Sequence, residues 1–125
     1  MANTFAGTVN FQLDNGSDKQ TWNPPRFSNT PSTFNYHRTV WTVGTSAETM
    51  PAGDVSSERW LFLKNLDTTN YVTVGPDSGG NQINMLKLLP GDISGPIALD
   101  PAATIKATAN TAACKVEMLL IDSTT

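Results

Sequence analysis

Residues 59–75 read RWLFLKNLDTTNYVTVG, and this stretch decides the fold class. Arg59 to Leu66 is the most apolar run in the chain, short and bounded by turn residues, which is the pattern of a buried strand. Asp67-Thr68-Thr69-Asn70 follows as a four-residue turn, and Tyr71 to Gly75 reads as the return strand. Downstream, Pro76 to Asn81 (PDSGGN) is a Gly-rich connection and Ile83 to Leu89 is another strand. Pro90-Gly91 fits positions i+1 and i+2 of a type II turn. Asp92 to Leu99 alternates Ile93, Gly95, Ile97 and Leu99. Thr104 to Ala109 and Lys115 to Asp122 complete the series, joined across Asn110-Thr111.

Upstream, Phe5, Gly7, Val9, Phe11 and Leu13 alternate with polar residues, as in a half-buried strand with an aromatic-rich face. It ends at Asp14-Asn15-Gly16-Ser17, where Asn-Gly supplies the positive φ angles of a tight hairpin, and Asp18 to Trp22 can pair back. Residues 23–35 (NPPRFSNTPSTFN) carry Pro24, Pro25 and Pro31, which remove ladder donors and favour an extended arm. Tyr36 to Val43 returns to the strand pattern, with Tyr36, Arg38, Val40 and Thr42 on one face and His37, Thr39, Trp41 and Val43 on the other. Thr45 to Ser57 reads as a loop with a turn at Met50 to Asp54. No window sustains a helical apolar period between caps.

Short strands at a spacing of about ten residues, punctuated by Gly and Pro, predict an all-β chain. We expect an antiparallel β-sandwich or jelly-roll-like core of about eight strands with an extended Pro-rich arm; a small barrel is the other arrangement of such strands. The expected organisation is a single β domain over residues 1–125. Residues 59–122 form its main core, residues 14–35 and 44–58 are arm and loop segments, and Phe5 to Leu13 and Tyr36 to Val43 join the sheet.

The composition points the same way. The chain has 125 residues, 15% of them charged, and a net charge of −3. Residues 1–58 hold 5 of the 22 Leu, Ile and Val but 7 of the 10 aromatics. The back half therefore reads as a core and the front half as something laid on a surface. No apolar run approaches the roughly 20 residues of a membrane-spanning helix, and MANTFAGTVN has no basic start followed by an apolar block, so neither a membrane nor a secretory signal is expected. Eight scattered Lys and Arg in an acidic chain argue against a nucleic-acid partner. The single Cys114 excludes an internal disulfide framework and suits a protein made in a reducing compartment, such as the cytoplasm.

Candidate chemistry is sparse. Cys114 and the single His37 lie in no nucleophile motif, and the three Glu (48, 58 and 117) are dispersed, so no enzyme is expected. Asp14 to Asp18 and Asp77 to Asn81 concentrate oxygen ligands without completing a calcium-loop spacing. The loop GPDSGGN lacks the Lys-Ser/Thr of a phosphate loop and precedes a strand. No cofactor or metal is expected. What remains is a crowd of aromatics in a Pro-, Asn- and Thr-rich region short of aliphatics. Trp22, Pro24, Pro25, Phe27, Phe34, Tyr36 and Trp41 are the candidate partner-binding residues. Three readings are open for them: a protein interface, the chain's own core, or stacking on sugar rings.

WLFLKNLDTTNYVTVGPDSGG, MLKLLPGDISGPIAL and IKATANTAACKVEMLLID, in that order, resemble a layout found in small virion proteins of tailed bacteriophages. The resemblance covers roughly the last 67 residues; residues 1–58 have no such counterpart. It implies a β-sandwich or jelly-roll decoration (cement) protein on the capsid surface, made in the host cytoplasm. Its partner would be the major capsid protein, and self-association as a dimer or trimer is expected. A tail, head–tail connector or fibre-base component is the alternative within that class, and a carbohydrate-binding module the alternative outside it.

Overall fold

A computed structural model describes residues 4–30 and 35–122. The chain divides into two compact units, Met1–Phe34 with Thr124–Thr125, and Asn35–Ser123. The described residues contain no helix.

The larger unit is an all-β sandwich. One sheet has the order β11 (Ile93–Ala98), β7 (Glu58–Asn65), β13 (Cys114–Asp122), β5 (Tyr36–Val43). The other runs β10 (Leu86–Leu88), β8 (Val72–Ser78), β12 (Ile105–Ala109), β6 (Glu48–Thr49), with β9 (Asn81–Gln82) paired to β8. Every pairing is antiparallel. Strand β13 shows why the sheets stack. Cys114, Val116, Met118 and Leu120 point to one face and are buried, while Lys115 and Glu117 point out. Leu61 and Leu63 of β7, Val72 and Val74 of β8, and Ile105, Ala107 and Ala109 of β12 alternate in the same way and close a single core.

The two best strands of the sequence, β7 and β8, do not pair with each other. The turn expected to close a hairpin instead carries the chain from one sheet to the other, as does the Asn110–Ala113 link between β12 and β13. Asn65, at the end of β7, explains the first crossing. Its fully buried amide donates to the carbonyls of Asn70 and Leu88, both at 3.0 Å, and accepts the Asp67 N–H at 3.0 Å. The Asp67 carboxylate then accepts the backbone N–H groups of Asn70 at 2.6 Å and Thr69 at 2.9 Å.

These two bonds, Asn70 first, hold the Asp67 carboxyl below the usual carboxylate range. A depressed folded-state value contributes stability above the unfolded-state pKa, and that contribution is lost as the pH falls through the folded value. Asp67→Asn should therefore unfold at lower denaturant than the wild type at pH 7. The gap should close as both are titrated from about pH 5 to about pH 2. A gap independent of pH would remove the charge from this account.

Several segments differ from expectation. Residues 44–58 are more than a loop: β6 pairs with β12, and Met50 and Val55 are in the core. Residues 83–85 are not strand. Pairing registers on either side of them differ by one residue, so they bulge over Gly75. In β11, a register shift between Ser94 and Ile97 places Ile93 beside Lys64 but Ile97 beside Leu61. The bulge thus sends Ile93 outward, and Ile97 packs against the core. Two turns match their sequence. Gly91 has φ +82° beneath an Asp92 N–H to Leu89 carbonyl bond of 2.9 Å, and Gly79 and Gly80, both at positive φ, join β8 to β9.

In the smaller unit, β1 (Phe5–Gly7) pairs with β4 (Phe27–Asn29), and β2 (Phe11–Asp14) with β3 (Lys19–Trp22). The strand expected over Phe5 to Leu13 is therefore broken at residues 8–10 and enters neither sandwich sheet. The arm expected over 14–35 holds two strands, one inside the Pro-rich stretch. Tyr36 to Val43 does join the sandwich, as expected.

Candidate functional site

The β2–β3 hairpin begins from its turn. Asn15 donates its N–H to the Asp18 carbonyl, and its side-chain oxygen accepts the N–H groups of Ser17 and Asp18. Gly16 alone takes positive φ, so Asn15 works through its side chain rather than through a left-handed backbone. The Asp14 carboxylate accepts the Gly16 N–H at 2.8 Å. The register that follows sets Phe11 opposite Trp22 and Leu13 opposite Gln20. One face of the hairpin then carries Phe11, Leu13 and Trp22, and the other Gln12, Asp14, Lys19 and Thr21.

All eight strand residues are exposed. Phe11 and Trp22 stack with centroids 6.0 Å apart and planes 24° apart, yet they stay 60% and 61% exposed, and Leu13 is 72% exposed. A cross-strand aromatic pair contributes about 0.2–1 kcal/mol, and a two-stranded hairpin is marginal in water. Burying such side chains against a partner contributes about 1.5–3 kcal/mol each. Three large apolar side chains therefore stand exposed on one open face, with Gln20, held by the Asp18 carboxylate at 3.0 Å, opposite Leu13.

The other sequence candidates are placed elsewhere. Phe27 lies on β4, half-buried, edge-on to Phe5 at 5.3 Å. Pro24 is half-buried and Pro25 exposed in the link between β3 and β4. Phe34 lies outside the described residues. Tyr36 is exposed on β5 in the other unit. Trp41 requires a correction: it is buried, and its indole N–H donates to Glu48 at 2.7 Å. It stands five positions along β5 from Tyr36, so the two side chains leave opposite faces of the strand, and Trp41 packs in the core rather than at a partner surface. Phe11 and Leu13 were not singled out from sequence as contact residues. The signal was available, since the Asn-Gly turn sets Phe11 against Trp22.

The remaining polar candidates have structural work. Cys114 and His37 sit opposite Val43 and Leu120 at the two ends of the β5–β13 ladder, about 20 Å apart at strand rise, too far for a nucleophile–base pair. Burial, and secondarily the Asp67 charge, pushes the Cys114 thiol up. Asp77 pairs with Lys106 at 3.3 Å, and Asp18 accepts from Gln20. Among the described residues no three His, Cys, Asp or Glu come together as a metal site. Compared with known proteins, the chain matches no family model, no curated protein and no solved structure.

Proposed function

We propose that this protein is a non-enzymatic virion structural protein that binds and stabilises the capsid shell of a tailed phage as a decoration (cement) protein. The observation that carries the reading is the open apolar face of the β2–β3 hairpin, Phe11, Leu13 and Trp22, carried by a chain whose larger unit is a well-packed sandwich. The winding of that sandwich supports it. All links between successive strands of β5 to β13 change sheets except those joining β8, β9 and β10, an order we read as a jelly roll, an architecture recurrent in capsid and lectin domains. Fold alone assigns no function, so the reading rests on the hairpin. A protein of this kind stabilises a shell by mass action on a repeated site of the major capsid protein. Self-association would add avidity.

Phage heads stripped of the protein provide the test. The wild-type chain should co-sediment with them and raise their thermal disruption temperature. Phe11→Ser/Trp22→Ser should bind about a hundredfold more weakly, with the sandwich's circular dichroism unchanged. Equal binding by the variant would overturn the reading. Occupancy of about six or twelve copies at one vertex would move the protein to the connector or tail, and Trp22-dependent retention on a glycan array without head binding would favour the sugar-binding alternative, which the exposed indole also suits.

A further inference from the structure

The outer face of the β11-β7-β13-β5 sheet also carries exposed apolar side chains, and its register can be read row by row. One row across the sheet is Ile93, Lys64, Glu117, Val40; the next is Phe62, Leu119, Arg38. Ile93 is 70% exposed because the β11 bulge turned it out of the core, and Val40 is exposed on the edge strand. Between the rows lies a depression of about 370 Å³, floored by Phe62, Leu119 and Ile93 and rimmed by Arg38, Lys64 and Glu117. These three charges are exposed, and among the described residues none makes an ion pair; the pair formed by Lys106 and Asp77 belongs to the other sheet.

Both signs of charge sit on one apolar face. A uniformly basic or acidic partner would set one of them against its like, at a cost in affinity. A surface that carries both signs about an apolar centre suits its own copy, because a twofold contact presents the same patch from each side. Arg38, Val40, Glu117 and Leu119 are the corners of a rectangle on neighbouring strands, about 6.7 Å along the strands and about 4.8 Å across them, since Glu117 opposes Val40 and Leu119 opposes Arg38. A twofold axis along the Val40–Leu119 diagonal brings Arg38 of each chain over Glu117 of its partner and sets Leu119 and Val40 against their own counterparts. We infer that the outer face of this sheet is a twofold homodimer interface, centred on Leu119 and closed by reciprocal Arg38–Glu117 pairs. The inference concerns self-association, so its failure leaves the hairpin's capsid reading standing, and the two are measured separately.

The test uses the full chain in sedimentation equilibrium. The wild type should run at twice the 13.4 kDa chain mass. Glu117→Arg and Arg38→Glu should each weaken dimerisation on the order of a hundredfold. An equimolar mixture of the two variants should recover the dimer, because one chain then carries only positive charges at these two positions and the other only negative ones, so both reciprocal contacts pair opposite signs. Leu119→Lys, on the axis, should give a monomer that no charge partner rescues. Circular dichroism checks that each variant is folded; all the charges changed are exposed. A wild-type monomer at about 100 μM, a trimer, dimers indifferent to both reversals, or a mixture that stays monomeric would each overturn the assignment.

Discussion

Asn65→Leu should lower the stability of the sandwich unit by about 3 kcal/mol, the largest loss we expect from any near-isosteric change in this chain. The wild-type amide satisfies two carbonyls and one N–H at once, and its own backbone is bonded as well, donating to Asp92 and accepting from Gly91. Leucine fills the volume but strands the carbonyl of buried Leu88, and leaves that of Asn70 and the Asp67 N–H to partial rescue by water. Each stranded buried group costs about 1–3 kcal/mol, and the gain in apolar burial offsets part of the sum. Asn65→Asp separates the contributions: it keeps an acceptor for Asp67 but turns a charge toward two carbonyls, so it should be worse at pH 7 than at pH 4. Urea unfolding followed by tryptophan fluorescence in a Trp22→Phe background reports the sandwich alone through Trp41 and Trp60. A midpoint for Asn65→Leu equal to that of the wild type would show that the crossing is held by packing and not by this amide.

The same residue marks where sequence reading stops. Strand existence was legible because alternation is a local property: Cys114 to Asp122 and Tyr36 to Val43 each show their buried face in the pattern itself. Partnership was not. Two adjacent strands joined by a four-residue turn satisfy a hairpin and a sandwich crossing equally well in sequence, and what separates them is the distant Leu88 carbonyl that Asn65 reaches. The β11 bulge is illegible for the same reason. Ile93 and Ile97 are in phase in the sequence, and only pairing with β7 puts them on opposite faces. At the hairpin, the aromatic crowding of residues 1–58 singled out Trp22, which is exposed. It misplaced Trp41 because crowding carries no parity, whereas position along β5 does.

Gly75→Ala should be the most damaging single methyl addition, enough to prevent the β8–β10 region from closing in its present register. A Cβ on Gly75 would fall 1.6 Å from the Ile83 carbonyl oxygen and 3.0 Å from the Met85 nitrogen, both of them backbone atoms that no side-chain rotation can move. The glycine's φ is not positive, so the requirement is close approach and not a left-handed conformation. The bulge at 83–85 cannot simply lift. Ile83 donates to the Pro76 carbonyl at 2.8 Å and Met85 to the Val74 carbonyl at 3.0 Å, from either side of Gly75. Moving it by the ångström or more that a methyl demands breaks both bonds and loosens Leu86 and Leu88 above the core. Overpacking of this kind costs about 1–3 kcal/mol where the surroundings are side chains, and more where backbone must shift. Amide hydrogen exchange locates the effect: Ile83, Met85 and the β10 amides should lose protection, while β13, flanked by β5 and β7, keeps its own. Gly79→Ala is the control, because its positive φ strains alanine but no atom lies within 4 Å of the added methyl. It should cost about 1 kcal/mol and leave exchange at β10 untouched. Equal protection at residues 83–88 in Gly75→Ala and the wild type would contradict the close approach on which this argument rests.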